Sequence, residues 1–191
     1  YNNSEAIPNL EFLASKYRGI NITAPYKSHF FSLVNLIDVP EMMNGINCLR
    51  KSSSGLWEGT NTDYFALCEI IKEFYVRYSI INFIVLGDGQ TSQAVQAALR
   101  FHQYPYNVLS RKTHGRIEKL PLVSETVATM LINCCSREFI YSGEIRNNII
   151  FFDLNYAFSE HDYLKKKLIY IDGLILLRRQ AEMCVRFWQT I

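Results

Sequence analysis

The sequence predicts an α/β protein, and three observations carry that expectation. Short apolar runs of strand length alternate with helix-length segments through the second half of the chain. Those runs lack polar alternation, as strands do in a parallel sheet covered on both faces. The first of them, Asn82–Leu86, leads through Gly87-Asp88-Gly89 into an Ala- and Gln-rich stretch, the strand–turn–helix order of a βαβ unit.

The elements follow in order. Leu10–Tyr17 has helical spacing, Gly19–Ile22 reads as the end of a strand, and Ser28–Ile37 reads as a helix. Ile46–Arg50 and Leu56–Gly59 form a hairpin around Ser52-Ser53-Ser54-Gly55. Tyr64–Tyr78 carries Leu67, Ile71, Phe74, Tyr75 and Tyr78 at helical spacing, with Asp63 where an N-cap belongs. Beyond it, strands are expected at Asn82–Leu86, Tyr106–Leu109, Met130–Cys134, Ile149–Leu154 and Leu168–Ile171, and helices at Thr91–Phe101 and Leu174–Trp188. A boundary near residues 63 to 80, with the helix 64–78 as connector, separates two α/β domains.

Bulk properties exclude more than they assign. The chain has 191 residues, 49% hydrophobic and 20% charged, with a net charge of +2. That balance gives no reason to expect a nucleic-acid or membrane-surface partner. Lys165-Lys166-Lys167 reads as a solvated turn. Five cysteines, Cys48, Cys68, Cys134, Cys135 and Cys184, form an odd set without Cys-x-x-Cys spacing. This argues against a disulfide framework or a zinc site and fits a reducing compartment. His29, His102, His114 and His161 show no metal spacing and read as surface or packing residues. With no apolar run of membrane-span length and no signal peptide, a cytoplasmic protein is expected. The chain begins with Tyr1 rather than Met, and both an incomplete chain and a divergent one stay open.

Three local patterns suggest chemistry. Gly87-Asp88-Gly89-Gln90-Thr91-Ser92 follows a strand and opens a helix, the context of a Rossmann-like turn that cradles pyrophosphate. Taken alone, it reads equally as a plain strand-to-helix turn, and Asp88 opposes an anion. About 20 residues on, where an acid would select NAD, stand Ser110-Arg111-Lys112 with Arg116 nearby. Cations there suit a 2′-phosphate, hence NADP, or form a solvated basic loop. Lys27 and Asp63 are a candidate proton-transfer pair, although each has an ordinary explanation as exposed lysine and helix cap.

Taken together and in order, the motifs resemble shikimate dehydrogenase. They are Asn21-Ile-Thr-Ala-Pro-Tyr-Lys27, Gly45-Ile-Asn47, Asn61-Thr-Asp63, Gly87 to Ser92, Ser110-Arg111, Ile132-Asn133, Asp153-Leu-Asn-Tyr156, and Asp172-Gly-Leu174 through Gln180-Ala181. The resemblance implies an N-terminal substrate domain, incomplete here and spanning residues 1–63. It implies a Rossmann-like NADP-binding domain over residues 64–172 and a C-terminal helix, residues 173–191, packing back on the substrate domain. It implies NADPH-dependent reduction of 3-dehydroshikimate to shikimate, with Lys27 as acid/base and Asp63 as its partner. Asn21, Thr23, Asn47, Tyr156 and Gln180 would hold substrate hydroxyls or carboxylate. Gly87, Gly89, Gln90, Thr91 and Ser92 would line the pyrophosphate, and Ser110 and Arg111 the 2′-phosphate. Ser136, Leu154 and Gly173 would lie near the nicotinamide.

Departures from the family pattern also stand in the sequence. No Ser-x-Ser segment precedes Lys27, Gln90-Thr91 replaces Gly-Ala, Cys134-Cys135 replaces Ala-Thr, and Leu176 replaces a methionine. Two alternatives stay open: a quinate/shikimate dehydrogenase using NAD, and a ligand-binding relative without catalysis. The expected partner is a small molecule and the expected assembly a monomer or homodimer.

Overall fold

Five parallel strands form the larger sheet of the computed structural model, which describes residues 7–121, 127–144 and 148–189. The remaining ends of the expected domains, residues 1–6 and 190–191, lie outside the described residues. The strands are β5 (Asn82–Leu86), β6 (Tyr106–Leu109), β7 (Thr129–Asn133), β8 (Ile149–Asp153) and β9 (Ile169–Asp172). Their order across the sheet is β6-β5-β7-β8-β9. The direction of winding reverses between β5 and β7, so the crevice at their carboxyl ends is where an open α/β sheet takes a ligand. Gly87 and Asn133–Cys134 stand at that crevice; the Gly87 N–H donates to the Leu109 carbonyl and the Cys134 N–H to Leu86.

Every residue of β7 and β8 is buried, which is why those segments carry no polar alternation. One face is covered by α2 (Thr62–Tyr78), α3 (Gln90–Phe101) and α6 (Leu174–Gln189), whose buried Leu67, Ile71, Phe74, Val95 and Leu176 join Phe83, Ile132 and Phe152. The other face is closed by Ile117, Phe139, Tyr141 and Leu164 against Leu131 and Phe151. Fully apolar strands require both coverings. The two remaining short helices are α4 (Arg111–His114) and α5 (Asp162–Lys165).

The smaller sheet has the order β1-β3-β4-β2, from β1 (Gly19–Asn21), β2 (Asn35–Leu36), β3 (Cys48–Lys51) and β4 (Trp57–Thr60). The expected hairpin is present: β3 and β4 run antiparallel, with Gly55 turning at a φ of +86°. Helix α1 (Leu10–Lys16) buries Leu13 against Ile22, Phe30 and Trp57 beneath this sheet.

The expected helix over residues 28–37 does not form. A single 3-10 turn, Tyr26–Ser28, is followed by turns and then by β2, parallel to β4. Long-range bonds override the helical spacing here. The Ile37 N–H donates to the Gly59 carbonyl at 2.9 Å, and Thr60 Oγ1 donates to the Ile37 carbonyl at 2.8 Å. Phe30 still reaches the core, but from a turn.

Helix α6 returns across both units. The Arg50 guanidinium donates to the Phe187 carbonyl at 2.8 Å, and Trp188 Nε1 donates to the Leu49 carbonyl at 2.9 Å. Trp188 lies against Gly19, where any added Cβ would sit 2.5 Å from the indole. On its other side Arg179 bonds Glu69 and Glu73 of α2. The C-terminal helix therefore ties the small sheet to the large one and fixes the cleft between them.

Candidate active site in the cleft

Helix α2 starts earlier than its apolar spacing suggests, and this decides what Asp63 can do. Asn61 is the N-cap: its carboxamide oxygen accepts from the Tyr64 N–H at 3.0 Å, while its Nδ2 donates to the Gly45 carbonyl at 2.9 Å. An Asn in this position contributes about 1 kcal/mol to the helix. The capping role expected of Asp63 thus belongs to Asn61, and the Asp63 carboxylate is free for another partner. Lys27 is that partner, with Nζ at 2.5 Å from Asp63 Oδ2. Both side chains are mostly enclosed, 15% and 13% exposed. The 3-10 turn Tyr26–Ser28 presents Lys27, and its carbonyl accepts from the Ile46 N–H, so the lysine segment and the Gly45-Ile46-Asn47 segment are held side by side.

The pair opens onto a cleft of about 400 Å³. Asn21, Thr23, Asn47, Tyr156 and Gln180 all line it, together with Lys27, Asp63, Thr91, Leu154 and Gly173. The structure thus brings together both candidate catalytic residues and all five candidate substrate contacts, drawn from the two sheets and α6. Leu176, buried, forms part of the same wall. A second cavity, about 500 Å³, shares Asn21, Ile22 and Thr23 but is walled mainly by Ile7, Leu13, Ile20 and Phe30 and holds no acid–base pair. No group of three or more His, Cys, Asp or Glu suited to a metal occurs among the described residues, and none of their helices is long and apolar enough to cross a membrane.

The remaining candidate cofactor residues lie on the Gly87–Ser92 turn beside the cleft and on the segments after β6 and β7. Gly87 has a φ of +98°, a conformation favouring glycine, and a Cβ there would press on the Cys135 thiol. The space around Gly89 is open, with nothing within 4 Å of a would-be Cβ. Gly89 is the N-cap of the 12-residue α3 and offers no side-chain cap, leaving first-turn N–H groups for an anion. Asp88, which would oppose that anion, is paired with Lys112 at 2.9 Å. Gln90 packs its carboxamide over Gly45 beside Lys27 and so reaches across to the small sheet. Ser92 is buried and accepts from Gln96. Ser110 bonds Thr113, while Arg111 is exposed in the first turn of α4. Ser136 is exposed beyond β7 and does not line the cleft.

Burial pushes the Cys135 thiol up to about 11, against the pull of the Arg111 guanidinium, and burial also raises the Cys134 thiol. Both shifts disfavour the thiolate at neutral pH.

The loops that bear Leu154, Tyr156 and Gly173 rest on a buried network that the histidine reading missed. Asp153, at the end of β8, is fully buried. It accepts from His161 Nδ1 at 2.6 Å, Tyr170 OH at 2.8 Å, Asn133 Nδ2 at 3.0 Å and the Asn155 N–H at 3.0 Å. His161 Nε2 accepts from the Tyr141 N–H at 3.0 Å. A backbone N–H can only donate, so the imidazole proton sits on Nδ1 and is given to Asp153. Burial pushes the Asp153 carboxyl up, but the bonds from His161, Tyr170 and the Asn155 N–H outweigh it and hold the group below its ordinary value. Asn155 Nδ2 also reaches the Cys135 carbonyl, and the Gly173 N–H donates to Asn155, which joins the loops after β7, β8 and β9. The signal in the sequence was an aspartate ending an apolar strand, because a buried carboxylate needs donors.

No protein-family model matches the chain. A curated relative named shikimate dehydrogenase (NADP(+)), from Prochlorococcus marinus, is 25% identical over 90% of this chain and 72% of its own length. Another of that name, from Aeromonas hydrophila, is 29% identical over 57% of this chain, which spans only 40% of that relative. In fold, the chain matches the shikimate 5-dehydrogenase of Thermus thermophilus, solved with NADP(H) and shikimate. The TM-score is 0.69 at 20% identity, over all of this chain and 80% of that one. The chain is similar in sequence to shikimate dehydrogenases and has their fold. Within a shikimate dehydrogenase fold, Gly173 is a sensitive point: a Cβ there would collide with the Leu154 carbonyl and lie 2.8 Å from that of Asp153. Gly173→Ala is expected to cost about 1–3 kcal/mol by overpacking, read as a lowered urea midpoint.

Proposed function

We propose that this chain is an NADPH-dependent shikimate dehydrogenase that reversibly reduces 3-dehydroshikimate to shikimate, a step of the shikimate pathway. The observation that carries the reading is the Lys27–Asp63 ion pair, 2.5 Å long, on the wall of a cleft whose polar residues all come from the family's motifs.

Asn21, Thr23, Asn47, Tyr156 and Gln180 hold the substrate's hydroxyls and carboxylate. Asp63 keeps the Lys27 ammonium at the cleft wall. In the reducing direction Lys27 Nζ gives its proton to the oxygen of the C3 carbonyl and is left neutral, to be reprotonated from solvent. A bound nicotinamide dinucleotide supplies the hydride for the carbonyl carbon. The residues present fit such a group: a positive-φ Gly87, open space at Gly89 and an uncapped α3 N-terminus suit a pyrophosphate. Gln90, Thr91 and Ser92 would line it, Ser110 and Arg111 would take the 2′-phosphate, and Leu154 and Gly173 from the cleft wall, with Ser136 beyond β7, would stand on the nicotinamide side.

The test is NADPH oxidation on adding 3-dehydroshikimate, beside oxidation of shikimate and of quinate with NADP+ and with NAD+ as the four substrate–cofactor pairs. Turnover confined to NADPH with 3-dehydroshikimate and NADP+ with shikimate supports the reading; turnover with no pair overturns it. Thermal shift identifies a binding protein without catalysis, since a ligand at 100 times its Kd adds about 2.7 kcal/mol. Arg111→Ala is expected to raise the KM for NADPH about tenfold or more, the loss of one charge-assisted contact, and to leave that for NADH unchanged.

A further inference from the structure

We propose that Thr62 is a positioning residue that sets the polarity of the substrate pocket, by holding the amide oxygens of Asn47 and Gln180 so that both present N–H donors to the ligand. The inference rests on the reading of the cleft as the substrate site. Thr62 itself does not line the cleft and is buried, 1% exposed, at the first position of α2.

Carboxamide orientation is ordinarily ambiguous, but two backbone groups remove the ambiguity here. The Thr62 N–H is one of the first-turn donors that a helix cannot satisfy internally, and it donates to Asn47 Oδ1 at 2.7 Å. A backbone N–H only donates, so the oxygen of Asn47 faces Thr62 and its NH₂ lies at the other tip. For Gln180, Nε2 donates to the Leu177 carbonyl at 3.1 Å. A carbonyl only accepts, so the nitrogen is fixed and Oε1 is the atom turned toward Thr62, at 3.3 Å from Oγ1.

Thr62 Oγ1 is also 3.1 Å from Asn47 Oδ1. A hydroxyl has one proton and cannot serve both oxygens. Cys184, buried beside it, supplies another: its Sγ lies 3.2 Å from Thr62 Oγ1 and 3.7 Å from Gln180 Oε1. Both amide oxygens are thereby committed inward. The cleft then receives N–H from Asn47, N–H from Gln180 and the Lys27 ammonium, against one anionic acceptor, Asp63. That pattern suits a ring bearing several hydroxyls, each accepting from an amide or ammonium and one donating to Asp63. An amine at the amide positions would meet donors only.

Thr62→Val removes the hydroxyl and keeps the shape and the N–H. The expected result is a five- to tenfold rise in substrate KM, about one hydrogen bond, with kcat and the KM for NADPH unchanged. Thr62→Ser restores the KM to within about twofold. In the double variant with Gln180→Ala, Thr62→Val adds less than it costs alone, because it acts through that amide. A Thr62→Val enzyme indistinguishable from the parent, or fully additive losses, would overturn the proposal. The wild-type assay tests the functional reading separately. Independently of any turnover, proton–nitrogen correlation spectra of the ligand-free protein report the Gln180 NH₂ pair, identified by its loss in Gln180→Ala. Those signals shift and average in Thr62→Val; unchanged signals would sink the idea.

Discussion

Replacing Lys27 with alanine is expected to lower kcat for 3-dehydroshikimate reduction by about 100- to 10,000-fold, the usual contribution of a positioned general acid. The substrate KM should change little, because the hydroxyl contacts assigned to Asn21, Asn47 and Gln180 do not depend on Lys27. A fall in kcat and kcat/KM together is the signature of an interaction used in the transition state. Asp63→Asn tests the partner. It keeps the shape but removes the charge that holds Nζ at 2.5 Å, so turnover should fall with it. The double variant Lys27→Ala/Asp63→Asn should be little worse than Lys27→Ala alone, since Asp63 works through the lysine. Retention of more than about a tenth of wild-type kcat in Lys27→Ala would remove Lys27 from the mechanism. Shikimate oxidation run in the opposite direction gives the same comparison.

The parts of this molecule that were legible in its sequence are those whose structure is locally determined. The five strands of the large sheet stand out because residues such as Ile149–Phe152 are buried on both faces and carry no polar alternation. The glycine turn is legible because Gly87 needs a positive φ. The small sheet was harder. Its β2 exists only through bonds to Gly59 and Thr60, more than 20 residues away in sequence, and helical spacing at Phe30 and Val34 could not report that. The cleft residues were found through motif order. The start of α2 was misplaced because Asn61 and Asp63 are both good caps by type; the bond from Asn61 to Gly45 decides between them. Thr62 went unnoticed because its contacts come from residues 15 and 118 positions distant.

His161→Ala is expected to destabilise the fold by about 3 kcal/mol, the loss of a buried hydrogen bond to a carboxylate together with the packing of the ring. The loss is no larger because Asp153 keeps Tyr170, Asn133 and Asn155 as donors. For a chain of this size that is a fall of roughly 6–12 °C in Tm. The sign of the pH dependence follows from the direction of the Asp153 shift. Its folded value is held below the unfolded one, so its contribution is fully present above about pH 3.9 and is lost as pH falls through the lower folded value. The gap between wild type and His161→Ala should therefore be widest at neutral pH and narrow in acid, as Asp153 becomes neutral in both proteins. Urea unfolding at neutral pH and near about pH 3 measures it. A gap that does not narrow would mean that imidazole packing against Phe151 and Phe158, rather than the bond to the carboxylate, is what His161 supplies. The effect should also reach the cleft: with Asp153 loosened, Asn155 no longer fixes the loops carrying Leu154, Tyr156 and Gly173, and substrate KM should rise before the fold is lost.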